Sequence, residues 1–134
     1  MHTTTLERFS LNGSEDVVRV RLAVRTWMRA NGFTLLQQTK MVTATSEMTR
    51  NCVTHGGGGS AELQQLRDGE RLGLRLRVAD QGPGIADLPL ALQGGHSTTG
   101  CLGLGLSGSK QLVDDFEITA EPGKGTQVHI TQWR

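Results

Sequence analysis

Two polar residues one helical turn apart, Glu47 and Asn51, are the first candidates for chemistry in this sequence. They lie in the stretch SEMTRNCVTH, which reads as a helix, and residues four apart share one helix face. The carboxylate could take a proton from a hydroxyl group, and the amide oxygen could bind a hard cation such as Mg²⁺. A hydrogen-bonded surface pair is the alternative at this spacing, and the spacing alone leaves both open.

A second candidate is Asp80 in the stretch ADQGPGI, where a predicted strand ends and Gly82 and Gly84 follow. An ionised carboxylate only accepts hydrogen bonds, so Asp80 could accept one from an exocyclic amine such as that of adenine. The two glycines would let a flat base approach the backbone. A plain turn is the alternative, because Asp, Gly and Pro favour turns.

The third candidate is the glycine-rich stretch GGHSTTGCLGLGLSGSK, which precedes a predicted helix. Gly103, Gly105 and Gly108 fit G-x-G-x-x-G, but the dinucleotide fingerprint needs a strand directly before it, and a polar loop stands there instead. A glycine-rich loop that opens a helix offers free N–H groups that suit phosphates. Further on, GKGT sets Thr126 at the start of a strand, where a simple turn is the alternative.

Composition limits the classes of protein that need consideration. The 134 residues suit one domain with a modest core. A hydrophobic content of 36% and a charged content of 20% exclude a disordered chain or a membrane span. The net charge of +1 gives no basic field for nucleic acid. The first residues carry no apolar signal core, so we expect a cytoplasmic protein, and we expect Cys52 and Cys101 to be buried thiols.

Two helices are predicted ahead of the first strands. SEDVVRVRLAVRTWMRANG has apolar residues at helical spacing, with Ser14 as the predicted N-cap and Gly32 just past the end. LLQQTKMVTATSEMTRNCVTH forms the second helix, and Glu47 and Asn51 lie at the edge of its apolar arc. The four glycines after His55 end this helix and connect it to the next strand. The members of the arc are Met41, Ala44, Met48 and Cys52.

Four strands follow. SAELQQLR and RLGLRLRVAD flank a turn at DGE, and the second alternates between apolar residues and the arginines Arg71, Arg75 and Arg77. The arginine row could be an anion surface, but it fits the solvated face of an antiparallel sheet better. LGLGLSGSKQLVDDF reads as a helix, and EITAE and TQVHITQWR read as strands around PGKG. Hairpin-linked strands with segregated helices predict an α+β, two-layer sandwich.

The order of the motifs is more specific than any one of them. E-x-x-x-N on a helix precedes D-x-G-x-G after a strand, then a glycine-rich loop before a helix, then G-x-G-T. This order resembles the GHKL (Bergerat) ATP-binding fold of gyrase-type ATPases, Hsp90, histidine-kinase catalytic domains and MutL. The resemblance runs from about residue 39 to the C-terminus. It implies a two-layer α/β sandwich with a mixed, mainly antiparallel sheet, as a single domain over residues 1–134.

Within that fold, the chain is similar to the small anti-sigma-factor-type serine/threonine protein kinases, especially the stressosome branch of the partner-switching systems. TSEMTRN, DQGPGI, STTGCLGLGLSGSKQLVDDFEI and the terminal QWR carry the likeness. It implies a bacterial stress-response kinase that uses ATP and Mg²⁺ to phosphorylate a Ser or Thr of a STAS-domain antagonist or scaffold protein. It also implies that a PP2C-type phosphatase could exchange on the same surface. Direct sigma-factor contact and a homodimer stay open, and neither nucleic acid nor membrane is expected as a partner.

The resemblance assigns roles by position. Glu47 would orient or deprotonate the substrate hydroxyl, and Asn51 would coordinate Mg²⁺ that bridges the phosphates. Asp80 would accept from the adenine amine, with Thr126 near the adenine side. A mobile lid over about residues 94–102 would cover the phosphates. The other residues expected to contact ATP are Gly82, Gly84, Ile85, Ser97, Thr98, Thr99, Gly100, Leu102, Gly103, Leu104 and Gly105.

One departure from the family pattern concerns positive charge. Several anti-sigma kinases carry a basic lid residue, whereas this chain has no Lys or Arg between Gly82 and Ser109, only His96. Either Lys110 or a partner supplies the charge, or transfer is slow. The principal alternative function is a nucleotide-gated anti-sigma or phosphatase-binding protein that sequesters its partner. A detached histidine-kinase catalytic domain and an NAD-dependent oxidoreductase are less favoured.

Overall fold

The computed structural model describes residues 1–80, 108–121 and 125–134. Within these ranges the strands form one five-stranded sheet in the order β1-β2-β3-β5-β4, and every pairing between neighbours is antiparallel. The predicted α+β sandwich is confirmed. The prediction also allowed some parallel pairing in a mainly antiparallel sheet, and the described part of the sheet contains no parallel pair. The elements are β1 (His2–Leu11), α1 (Ser14–Ala30), α2 (Leu35–Thr54), β2 (Gly59–Asp68), β3 (Arg71–Asp80), β4 (Asp115–Glu121) and β5 (Gly125–Trp133), with residues 108–112 also helical.

Strand β1 is absent from the sequence-based prediction. It forms the edge of the sheet beside β2, with a register shift between Thr5 and Glu7. Its residues from His2 to Arg8 are exposed and only Leu11 is buried. An edge strand with so little burial lacks the alternation of apolar and polar residues by which a half-buried strand is recognised.

The start of α1 differs by one residue from the prediction. Gly13 is the N-cap, and Ser14 is the first helical residue. The reason is Asp16, whose Oδ2 accepts hydrogen bonds from the backbone N–H groups of Asn12 (2.8 Å) and Gly13 (3.2 Å). The hydrogen bond from Asn12 is the largest cause that lowers the pKa of Asp16, and the Arg19 guanidinium and the bond from Gly13 lower it further. The Asp16 carboxylate, at the third helical position, thus reaches back to the backbone before the helix and fixes Gly13 as the N-cap.

Helix α2 carries the candidate residues and is capped by side chains at its start. At its start, the Gln37 N–H donates to Thr34 Oγ1 (3.1 Å), and the Thr34 N–H donates to Gln37 Oε1 (2.9 Å), which is a reciprocal capping box. Its predicted apolar arc is buried against α1 and the sheet, as expected. Glu47 and Asn51 are half-buried at the edge of that arc. The fully or almost fully buried residues of the arc are Met41, Ala44, Met48 and Cys52.

The arginine row of β3 lies on the sheet face opposite the core, while the alternate residues from Leu72 to Val78 are buried. Arg75 Nε donates to Gln64 Oε1 (2.7 Å), and Arg77 Nη1 lies 3.5 Å from Glu62 Oε1. The Arg71 guanidinium stacks 4.2 Å from the centre of the Trp133 ring. Neighbouring side chains engage these cations, which favours the solvated-face interpretation over an anion surface.

Candidate functional site

The C-terminal end of α2 lies against the end of β3. Cys52 Sγ donates a weak hydrogen bond to the Ala79 carbonyl oxygen at 3.7 Å. A side-chain carbon placed on Gly56 would lie only 2.7 Å from Asp80 Oδ2. The helix that bears Glu47 and Asn51 is therefore in direct contact with the strand end that bears Asp80.

Asp80 and Thr126 come together although 46 residues separate them. The Thr126 backbone N–H donates to Asp80 Oδ1 at 3.1 Å. The pairing of β3 with β5 explains this contact, because Ala79 lies opposite Gln127 in the register. Asp80 is the last residue of β3 and Thr126 the second of β5, so both lie where a ligand could meet the sheet.

Glu47 and Asn51 do not form the hydrogen-bonded surface pair that their spacing allowed. Glu47 Oε1 instead lies 3.2 Å from Arg50 Nη1, in a pair that is partly exposed on both sides. Asn51 Nδ2 is buried and has no hydrogen-bond partner in the part of the chain that the structure describes. A buried amide without a partner is costly in a folded protein, so this side chain is a natural candidate for binding something outside the protein.

The residues present fit a magnesium ion that is held mainly by nucleotide phosphates. Among the described residues, no group of three or more His, Cys, Asp or Glu side chains could form a protein-built metal cage. Mg²⁺ in nucleotide sites commonly keeps waters and takes only one or two protein ligands beside the phosphates. The Asn51 side-chain oxygen could fill that single-ligand role, while the buried, unpartnered Nδ2 could donate a hydrogen bond to a phosphate oxygen.

Cys52 lines the same region but is not a reactive group. Burial raises the pKa of its thiol to about 11, and the negative charge of Asp80 adds to the rise. The thiol is therefore neutral at physiological pH and is buried and free, as expected. Cys101 lies outside the described residues.

Most of the predicted ATP contacts fall outside the described residues, and their assignment stays a prediction. The structure describes Glu47, Asn51, Asp80 and Thr126. The predicted contacts beyond its described ranges are Gly82, Gly84, Ile85, Ser97, Thr98, Thr99, Gly100, Leu102, Gly103, Leu104 and Gly105.

Sequence reasoning missed the contribution of two glycines at this site. Gly56 and Gly59 were expected only to connect α2 with the next strand. In the structure both lie against the end of β3, at distances that leave no room for a side chain. The available signal was their position, since the glycine run directly follows the helix with the candidate pair.

Comparison with known proteins shows the family to which the chain belongs. A family model for the histidine kinase-like ATPase domain, HATPase_c_2, matches residues 12–132, and the chain belongs to that family. The predicted GHKL-type fold is thus confirmed. In the described residues, no helix is long and apolar enough to cross a membrane.

Two similar proteins show which members of this family the chain is related to. The chain is 36% identical over 118 residues to the serine/threonine-protein kinase RsbT of Bacillus subtilis (strain 168), covering 88% of this chain and 89% of RsbT. It is 27% identical to an anti-sigma F factor of Thermoanaerobacter sp. (strain X514), covering 98% and 95% of the two chains. RsbT is the protein that the sequence motifs resemble. The prediction of an RsbT-like protein in the class of serine/threonine kinases and anti-sigma factors is therefore confirmed.

A solved structure has the same fold. The crystal structure of the RsbU and RsbW domains of a Mycobacterium tuberculosis protein matches with a TM-score of 0.64 and 21% identity. The match covers all of this chain but only 33% of the solved chain. This likeness supports the fold and adds nothing about partners.

Proposed function

We propose that this protein is a serine/threonine protein kinase that binds ATP with Mg²⁺ and phosphorylates a STAS-domain protein. The nucleotide site would lie between α2 and the adjoining ends of β3 and β5. Glu47 would act on the substrate hydroxyl, Asn51 would hold the metal, and Asp80 with Thr126 would hold the adenine. The glycines Gly100, Gly103 and Gly105 would contact the phosphates.

The observation that carries this proposal is the buried, unpartnered amide of Asn51, one turn past Glu47 on the helix that contacts Asp80. A structural asparagine at this depth would be expected to have a hydrogen-bond partner. With ATP and Mg²⁺ bound, Asn51 Oδ1 would hold the metal and Nδ2 would donate to a phosphate oxygen, so the whole amide would be satisfied. Kinship with the serine/threonine-protein kinase RsbT supports the proposed kinase activity.

Phosphoryl transfer depends mainly on positioning and on neutralising charge, so few protein groups are needed beside the metal and a source of positive charge such as Lys110 or a partner. Glu47, which is one-third exposed, can reach a hydroxyl from another protein and take its proton as the new O–P bond forms. The bond between the γ-phosphorus and its bridging oxygen breaks, and ADP leaves with that oxygen. Mg²⁺, when bound, would neutralise negative charge on the phosphates.

The proposed biological setting is partner switching in the bacterial cytoplasm during the stress response. The substrate would be a STAS-domain antagonist or a stressosome scaffold, and a PP2C-type phosphatase would be an exchange partner. Kinship with RsbT and with anti-sigma factors supports this setting. We leave homodimer formation and direct sigma-factor contact as predictions for measurements of mass and binding in solution.

A Glu47→Gln variant tests the role of the carboxylate. We expect label transfer from γ-labelled ATP to a STAS-domain protein of the same genome to fall at least about 100-fold, because a general base contributes about 10²–10⁴-fold. Binding of ATP with Mg²⁺ should change less than about twofold, since Glu47 acts on the other substrate.

The matched control is Glu70→Gln, in the exposed turn between β2 and β3, which should transfer label as the wild type does. The kinase proposal fails if the wild-type protein binds Mg-ATP but labels no Ser or Thr. The role of Glu47 fails if its variant transfers phosphate normally.

A second candidate function is a nucleotide-gated anti-sigma or phosphatase-binding protein whose output is sequestration. Similarity to anti-sigma F factors over 98% of the chain favours it. A pull-down with ATP, with ADP and without nucleotide would reveal partners that change with the nucleotide, without phosphorylation. An identical partner set in all three conditions would exclude this function.

A further inference from the structure

The four glycines after α2, Gly56 to Gly59, are more than a flexible connection. Gly57 and Gly58 have φ angles of +72° and +101°, which L-residues with side chains rarely adopt, so they form the turn. Gly56 and Gly59 are different, because close contact with the end of β3 excludes a side chain there. A Cβ on Gly59 would lie 2.0 Å from the Ala79 carbonyl oxygen.

The contact of Gly56 is with the candidate adenine-binding carboxylate itself. A Cβ on Gly56 would lie 2.5 Å from Asp80 Cγ, 2.6 Å from its Cβ and 2.7 Å from its Oδ2. Turning the carboxylate would not relieve this overlap, because the Asp80 Cβ is fixed to the strand backbone. Adding one methyl group would therefore displace either the end of β3 or the end of α2.

The opposite side of the carboxylate is also held. Oδ1 accepts the hydrogen bond from the Thr126 N–H at 3.1 Å. The Asp80 carboxylate therefore lies between Gly56 at the end of α2 and the start of β5. A displacement caused at Gly56 would change the direction in which the carboxylate presents its oxygens.

Gly56 is also bonded to the helix that carries the candidate metal ligand. Its N–H donates to the Asn51 carbonyl oxygen at 3.1 Å, and the Gly58 N–H donates to the Cys52 carbonyl oxygen at 3.0 Å. The same short segment thus completes the end of α2 and contacts Asp80. It connects the two predicted halves of the nucleotide site.

We propose that Gly56 is a positioning residue that sets the Asp80 carboxylate for recognition of a purine with an exocyclic amine. This inference rests on the proposed ATP binding and adds the residue that positions the carboxylate responsible for base selectivity. In the proposed site, Gly56 does not itself contact the base. Its contribution is the absence of a side chain.

The test compares binding of ATP with binding of purine riboside triphosphate, which has hydrogen in place of the 6-amino group, both with Mg²⁺. The wild type should prefer ATP by about tenfold or more, as expected for a hydrogen bond to a charged acceptor. Gly56→Ala should reduce this preference to less than about threefold and leave binding of the analogue within about twofold. A general loss of structure would weaken both nucleotides equally.

Gly13→Ala is the matched control, because nothing lies within 4 Å of a Cβ there and its backbone is extended. It should keep the wild-type preference for ATP. If Gly56→Ala also keeps that preference, the inference is overturned while ATP binding stands. If the wild type binds ATP without preferring it, the assignment of Asp80 falls with the inference, and if it binds no ATP, the proposed function falls too.

A double variant keeps the inference testable if Gly56→Ala folds but is too unstable for the binding comparison. Asp80→Gly removes the three atoms that lie nearest to a Cβ at position 56. Gly56→Ala should therefore lower the unfolding midpoint of the wild type but cause no further loss in the Asp80→Gly background. Equal losses in both backgrounds would overturn the steric contact on which the inference depends.

Discussion

At the scale of single residues, the surroundings of Glu47 and Asn51 tell more than their spacing does. Glu47 and Asn51 have the same spacing as many surface pairs. One of them nevertheless pairs with Arg50, and the other has a buried amide with no partner among the described residues. An unpaired buried amide lowers the stability of the folded protein. Its removal should therefore leave stability unchanged or higher while it weakens ligand binding.

Asn51→Leu should separate stability from function. The free energy of unfolding of the nucleotide-free protein should stay the same or rise by about 1 kcal/mol, because an unpaired buried polar group is removed. Binding of ATP with Mg²⁺ should weaken at least about tenfold, because the proposed metal ligand is lost. Denaturant unfolding and calorimetric titration measure the two quantities. A large loss of stability with normal ATP binding would show that Asn51 is structural.

The Cys52 thiol predicts a dependence of stability on pH. Its pKa is about 11 in the folded protein against an ordinary value of 9.0. Above pH 9 the unfolded chain loses this proton while the folded protein keeps it, so the contribution to stability is complete below pH 9 and is lost as the pH rises to about 11. Burial, followed by the charge of Asp80, is the cause.

Comparison of the wild type with Cys52→Ala isolates this effect from other titrations. The difference in their free energies of unfolding should shift by about 1 kcal/mol against the wild type between pH 8 and pH 10, since one pKa unit corresponds to about 1.4 kcal/mol. Denaturant titrations at the two pH values would measure it. A constant difference would mean that the thiol does not stay protonated in the folded protein.

At the scale of elements, prediction succeeded where burial alternates along the chain. The arc of α2 and the alternation of β3 from Leu72 to Val78 could be read from the sequence, because each has one buried face. Strand β1 could not, because its residues 2–8 are exposed and its apolar positions have no clear period. The tight fit of Gly56 against Asp80 was equally unpredictable, since it depends on two elements meeting in space.

Helix α2 allows a test of whether its stability can be lowered without a change in phosphate transfer at the site. Thr34→Ala removes the side chain that caps its first turn, so the free energy of unfolding should fall by about 1 kcal/mol. Phosphate transfer per folded molecule should be unchanged, because Thr34 lies at the opposite end of the helix from Asn51. Thr39→Ala, at an exposed helical position, is the control and should be neutral or slightly stabilising.

Thermal or denaturant unfolding and a transfer assay on the same preparations would check this prediction. A proportional loss of transfer at temperatures where the Thr34→Ala protein is fully folded would contradict it. Such a result would mean that a change at the start of α2 alters the site.

At the scale of the whole molecule, the family and the fold agree, and the proposed site is built on that fold. The antiparallel sheet brings the end of β3 beside the start of β5, and α2 closes the third side. The chain belongs to the histidine kinase-like ATPase domain family and is related to RsbT. The central proposal, phosphorylation of a STAS-domain protein, follows from this combination rather than from any single motif.

The most direct test is the mass of the partner after reaction. The purified protein, ATP and Mg²⁺ are incubated with STAS-domain proteins from the same genome, and each product is analysed by intact mass and peptide sequencing. We predict that one of them gains a phosphate on Ser or Thr, and that it gains none without ATP. If ATP is bound but every STAS-domain protein keeps its original mass, the kinase account is contradicted and sequestration becomes the better explanation.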